Sequence, residues 1–166
     1  MEVKLKTISA DAIAEANSKA ELYRLLNEPE ETESICHDVL AVDAENQESL
    51  RLLGLAITDQ FTGAVSDRYA EAEGAFKRLQ DQYARLYYCG LLYERRAKAQ
   101  LRAGRAAYSV LVLLEEAMRC FERAEEVHPP GNDDAILRWN RCARLLMSRP
   151  DADWHPQSAT VDIGEM

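Results

Sequence analysis

Two spacings in this 166-residue chain could carry chemistry, and the first is Glu125-x-x-His128. A carboxylate and an imidazole three apart share one helix face, and di-iron bundles build their metal centre from two such pairs on facing helices. The chain has no second copy: the other histidines, His37 and His155, have Ser34 and Ala152 three residues before them. His128 also closes an apolar-periodic run just before Pro129, where a polar or cationic ring complements the helix dipole. The second spacing, Cys36-His37, sets a thiol beside a base, but adjacent helical residues point in different directions and cannot work as a nucleophile and its base. The four cysteines, Cys36, Cys89, Cys120 and Cys142, are far apart and form no C-x-x-C. They read as buried reduced thiols of a cytoplasmic protein rather than as a disulfide or zinc framework. There is no phosphate-binding loop, dinucleotide-binding glycine set or Gly-x-Ser-x-Gly. The expectation is a protein that is not an enzyme and uses neither cofactor nor metal.

Charge narrows the partners. The formal net charge is −9, which disfavours nucleic acid and anionic membrane surfaces. Residues 85–105 stand apart, with Glu94 the one acid against Arg85, Arg95, Arg96, Lys98, Arg102 and Arg105. Tyr83, Tyr87, Tyr88, Tyr93 and Tyr108 border that basic segment. Aromatics interleaved with arginine can stack on bases and hold phosphates, so an RNA-binding reading exists, ranked below protein binding because the overall field is repulsive. No uncharged apolar run reaches the roughly 18 residues of a spanning helix, and Met1-Glu2-Val3-Lys4 opens no apolar signal segment.

The elements that must position these residues are helical. Seven glycines and five prolines, in a chain rich in Ala, Leu, Glu and Arg, favour an all-α fold. Ser9 suits the N-cap of a helix reaching about Leu26, with Ile13, Ala16, Ala20 and Tyr23 on one face. Pro29 suits the first turn of the next, which carries Thr32, Ile35, Cys36, Val39 and Leu40. Leu50-x-x-Leu53-Gly54-x-x-Ile57 and Leu86-x-x-Cys89-Gly90-x-x-Tyr93 then share one pattern. Each is followed by a small residue and an aromatic four apart: Ala72 and Phe76, then Ala117 and Phe121, with Ala124 and Pro129 completing the second set. A glycine inside a helix costs roughly 1 kcal/mol against alanine, a cost that makes sense where a partner helix packs on bare backbone.

These motifs resemble the tetratricopeptide repeat, with Leu for its Trp and Ile for its Tyr in the second copy. Asp43-Ala44-Glu45-Asn46 resembles the family's inter-repeat linker, with Ala in place of Pro. Two connections exceed the family spacing: Gly54 to Ala72 is 18 residues and Gly90 to Ala117 is 27. Gly104 divides the second surplus about evenly, so both helices of that hairpin overrun the layer and stay antiparallel. Ile136-x-x-Trp139-x-x-x-Ala143 begins a further repeat without its second helix, and Arg138, Arg141 and Arg144 give it the polar side of a capping helix.

The resemblance implies an all-α stack of antiparallel helix pairs, a tetratricopeptide-like α-solenoid of about three repeats plus a C-terminal capping helix. It assigns residues 1–8 to an N-terminal extension, 9–147 to the helical domain and 148–166 to a mobile tail containing Trp154. It implies a non-catalytic, cytoplasmic interaction module, an adaptor or scaffold, that binds a peptide or helix of another protein in a concave groove. The first helix of each repeat lines that groove in the family, which gives Asn17, Arg24, Arg51, Leu55, Tyr87, Leu91, Arg95 and Arg141 as partner-binding candidates. A secretion-type chaperone would be a specialised form of the same activity. A different class of function is self-assembly, as a homodimer, through the long third hairpin. There Tyr108, Val112 and Leu113 belong to an apolar run that wraps around the helix, so one neighbour cannot cover it. The competing expectation is that residues 61–66, the capping helix or the Trp154 tail cover that run within the monomer.

Overall fold

The structure, a computed structural model, describes residues 1–156. Among the described residues every regular element is helical, so the all-α reading stands. The predicted tail residues 157–166 lie outside the described residues. The chain divides into two compact units, one made of Met1–Phe61 with Asp67–Arg85, the other of Thr62–Ser66 with the chain from Leu86 onward.

The first unit contains α1 (Ile13–Leu25), α2 (Pro29–Val42), α3 (Gln47–Asp59) and α4 (Tyr69–Lys77). Each helix packs on the next, and α1 also touches α3. Pro29 is at the start of α2, where its missing N–H is no loss. Ser9 differs from expectation: its side chain makes no capping bond, and the chain enters α1 through a 3-10 turn at Ala10–Ala12. Asn46 does cap α3 with its side chain: its Oδ1 accepts from the Ser49 N–H at 3.0 Å. α3 is buried throughout Leu52–Thr58, making it the centre of this unit.

Its packing rests on a bare stretch of backbone. A Cβ placed on Gly54 would lie 2.3 Å from Cε1 of Phe76, whose ring is 2% exposed. In the preceding pair the sizes are exchanged. Ala20 stands where the pattern has glycine and Cys36 where it has phenylalanine, and both are fully buried. Thr32, in the place of Ala72, donates its hydroxyl to the Ala20 carbonyl at 2.8 Å, which satisfies a buried polar group. The first pair therefore follows the same plan with smaller side chains, a relation its residue types had hidden.

The second unit is built on α5 (Gln82–Arg102) and α6 (Ala107–Glu126), followed by α7 (Asp134–Met147) and the short α8 (Asp151–Trp154). α6 packs against both α7 and α8. Gly104, with φ +89°, takes the left-handed turn that sends α6 back along α5. Phe121 packs on Gly90 as Phe76 does on Gly54, with Cε1 2.6 Å from where a Gly90 Cβ would lie. Gly63 also belongs to this unit: a Cβ there would lie 2.6 Å from the Ala99 carbonyl oxygen of α5. Thr62–Ser66 thus lies close over the C-terminal part of α5.

Two sequence expectations need correction here. α7 does not bury Ile136, Trp139 and Ala143; the fully buried positions are Ala135 and Cys142, seven residues apart on an adjoining face. That rotation turns Arg138 inward, while Arg141 and Arg144 stay exposed. The segment after Ser148 is not all loose tail either. Its described part forms α8, and Trp154 is 5% exposed with its indole N–H donating to the Leu146 carbonyl at 2.9 Å. A buried indole with its polar atom satisfied holds this turn against the unit.

Candidate interaction surfaces

In the first unit, the polar candidates on the first helices are all engaged by neighbours. Asn17 donates to Asn46 Oδ1 at 3.1 Å and accepts the Ser49 hydroxyl at 2.5 Å, so it braces the N-cap of α3. Arg24 forms a forked pair with Asp59, at 2.7 and 3.3 Å, with both side chains about one-fifth exposed. Arg51 reaches Glu48 at 2.7 Å and Glu21 at 3.5 Å. Leu55, expected to face a groove, is only 4% exposed. An apolar side chain that far from water packs within the protein and offers no open contact.

A second polar group in this unit escaped the sequence reading. Glu33 and His37 of α2 and Glu71 of α4 bring ligand atoms within 4.8 Å of one another. Arg68 sits on Glu33 with both guanidinium nitrogens, and Gln60 donates to the same carboxylate at 2.9 Å. The Arg68 hydrogen bond is the main reason the Glu33 carboxyl falls from 4.5 to about 2, against the opposing effect of burial. The resident cation is a guanidinium, and the group works as an ion-pair network between α2 and α4. Glu33 and His37 are four apart on one helix, a visible signal, but Arg68 and Glu71 come from beyond a loop of unpredictable course.

In the second unit, Tyr87 is half-buried. Its ring meets Tyr88 edge-on at 5.1 Å and Phe121 at 5.9 Å, and its hydroxyl accepts from Arg138 Nε at 3.4 Å. Leu91 is 2% exposed and so, like Leu55, lies in the packing rather than on an open face. Arg95 is partly exposed and Arg141 is exposed. On α6, Tyr108 and Val112 are 55% and 63% exposed, Leu113 is partly exposed, and Val110 and Leu114 are buried. The predicted cover is therefore partial. Leu111 and Glu115 of α6 line a cleft of about 400 Å³ with Met147, Trp154 and His155, whereas Tyr108 and Val112 stay in solvent.

The lone acid of the basic segment proves to be the buried one. Glu94 is fully buried; its Oε1 meets Lys98, one turn along α5, and Arg138 of α7 at 3.6 Å. Its Oε2 has no hydrogen-bond partner among the described residues. Burial works against the charge of Arg138, but the Tyr87 hydrogen bond and the Glu94 carboxylate outweigh it and hold that guanidinium cationic. A buried carboxylate is tolerable only with compensating cations, which explains an acid at the centre of six bases. The i,i+4 spacing of Glu94 and Lys98 was readable; the inward turn of Arg138 depended on the rotation of α7.

The thiols are free. Burial lifts the thiols of Cys36 and Cys142 to about 12, with Glu48 and Glu94 the respective nearby charges adding to it. Cys89 of α5 and Cys120 of α6 meet, sulfur to sulfur, at 3.3 Å. They stand 15 residues before and 16 after Gly104, a symmetry about the hairpin turn that the sequence displayed.

No family model, curated protein or solved structure matches the chain. Among the described residues no helix is long and apolar enough to cross a membrane.

Proposed function

We propose that the chain is a non-catalytic helical-repeat module of tetratricopeptide type that holds a segment of another protein against the first helices of its repeats. The supporting observation is the repeated contact of Gly54 with Phe76 and Gly90 with Phe121, at equivalent places in successive helix pairs. α3 is enclosed by its own unit, so the surface offered to a ligand is the part of α5 and α7 that keeps exposure. Arg95, Arg141 and Tyr87 are the candidates that keep some exposure in the second unit, and they suit a helix or extended segment bearing acidic and apolar side chains. In this reading the protein is a cytoplasmic adaptor, with a secretion-type chaperone as a specialised form.

The test is affinity capture from lysate with mass spectrometry, repeated with Arg95→Glu/Arg141→Glu. A partner that is retained by wild type, lost by the double variant and weakened by added salt supports the reading. Capture that is indifferent to both changes places the interface elsewhere.

A second reading, self-assembly through the long hairpin, is favoured by the exposure of Tyr108 and Val112. Sedimentation at several concentrations, wild type against Val112→Glu/Leu113→Glu, decides it. A monomer in both removes this reading.

A further inference from the structure

Cys89 of α5 and Cys120 of α6 bring two thiols into contact across the hairpin. Their sulfurs are 3.3 Å apart, against about 2.05 Å in a disulfide, so small rotations about the two Cα–Cβ bonds close the gap. The neighbouring residues explain the approach. Gly90 follows Cys89 and Phe121 follows Cys120, and the missing Cβ of Gly90 lets α5 and α6 come close at this level. We propose that Cys89 and Cys120 form a dithiol modification site, which a low-molecular-weight disulfide such as oxidised glutathione converts to an intrachain disulfide clamping α5 to α6.

The two sulfurs have different access. Cys89 is partly exposed, while Cys120 is 7% exposed. The Cys120 thiol donates to the Cys89 sulfur; that hydrogen bond, and then burial, push the Cys120 thiol up. Cys89, the more accessible sulfur, is the attacking one and Cys120 the resolving one. Cys89 gives its proton to water and attacks one sulfur of the small disulfide. A mixed disulfide forms, and one glutathione thiolate leaves and takes up a proton. Cys120 then loses its proton to water, and its sulfur attacks that of Cys89, expelling the second glutathione, which is protonated in turn. In the net reaction two protein thiols are oxidised, and two electrons and two protons reduce the small disulfide to two thiols. Cys36 and Cys142 are fully buried and stand outside this exchange.

The experiment incubates the full chain with graded ratios of oxidised to reduced glutathione, then measures intact mass, maps crosslinked peptides and follows thermal melting. The expected product has lost two hydrogens, carries no glutathione, and yields one crosslinked peptide joining Cys89 to Cys120. Its melting temperature should rise by about 10 °C, because the bond closes a 31-residue span of the unfolded chain. Cys120→Ser should stop at a glutathione adduct on Cys89. Wild type that stays unmodified, accumulates a stable glutathione adduct, or links any other cysteines overturns the proposal. The decisive readings come from wild type, so a variant that fails to fold does not weaken the test.

Discussion

The ring of Phe76 occupies the space that a Cβ on Gly54 would need, at 2.3 Å. Favourable carbon contacts lie near 3.5–4.0 Å, so Gly54→Ala must push a buried ring out of place. Alanine would add roughly 1 kcal/mol of helix propensity. Overpacking typically costs about 1–3 kcal/mol, so the net change is a destabilisation of up to about 2 kcal/mol. Gly90→Ala should do the same against Phe121, slightly less because its gap is 2.6 Å. Urea titration checks the sign. A stabilised Gly54→Ala would mean that the ring moves freely and the contact specifies nothing.

Phe121 is fully buried and touches both Gly90 and Tyr87. Phe121→Ala should cost about 3–5 kcal/mol and lower the melting temperature by about 10 °C or more. Tyr108→Ala, at an exposed aromatic of the same helix, should change stability by about 0.5 kcal/mol or less. Equal effects from the two would contradict the burial described here.

Acid should weaken the first unit through Glu33. Its folded carboxyl titrates near 2 rather than 4.5, so the unfolded chain binds the proton first as pH falls. The contribution is complete above about 4.5 and disappears as pH drops towards 2. It amounts to about 1–3 kcal/mol once solvent screening of the partly exposed Arg68 is allowed for. Glu33→Gln should flatten the stability curve over that interval. An unchanged acid limb in Glu33→Gln would assign the loss to other carboxylates.

Arg138→Ala removes one of the two cations that meet Glu94 and leaves a buried carboxylate with Lys98 alone. The loss should be about 2–4 kcal/mol by chemical unfolding. Glu94→Gln, which removes the charge and keeps the shape, should be milder, because Lys98 and Arg138 retain access to water. A Glu94→Gln variant less stable than Arg138→Ala would reverse this account.

Side-chain size was the most legible feature of the sequence. A glycine directly after Leu53 and Cys89, and a phenylalanine four after Ala72 and Ala117, announced two helix pairs and the contacts within them, since only a missing Cβ admits a ring so close. The first pair was obscure because Ala20 and Cys36 together fill the space that glycine and phenylalanine fill elsewhere. Polar partners were harder to read. Arg24 and Arg51 on paper are two cations on open helix faces, and only the folded positions of Asp59, Glu48 and Glu21 reveal what they bind. Arg138 was misread for a related reason: the buried stripe of α7 runs through Ala135 and Cys142, beside the side marked by Ile136 and Trp139, and that offset brings Arg138 to Glu94 while Arg141 and Arg144 stay exposed.

The course of Thr62–Ser66 bears on how the protein is made. This short strap is synthesised between two parts of the first unit, yet Gly63 rests on Ala99 and Ala103. The helices on either side of it in sequence can pair as they leave the ribosome, while the strap must wait until the far end of α5 has emerged. It also follows that no single cut of the chain yields either unit whole. A fragment ending at Arg85 would carry the strap with nothing to lie on, and one beginning at Leu86 would leave that stretch of α5 uncovered.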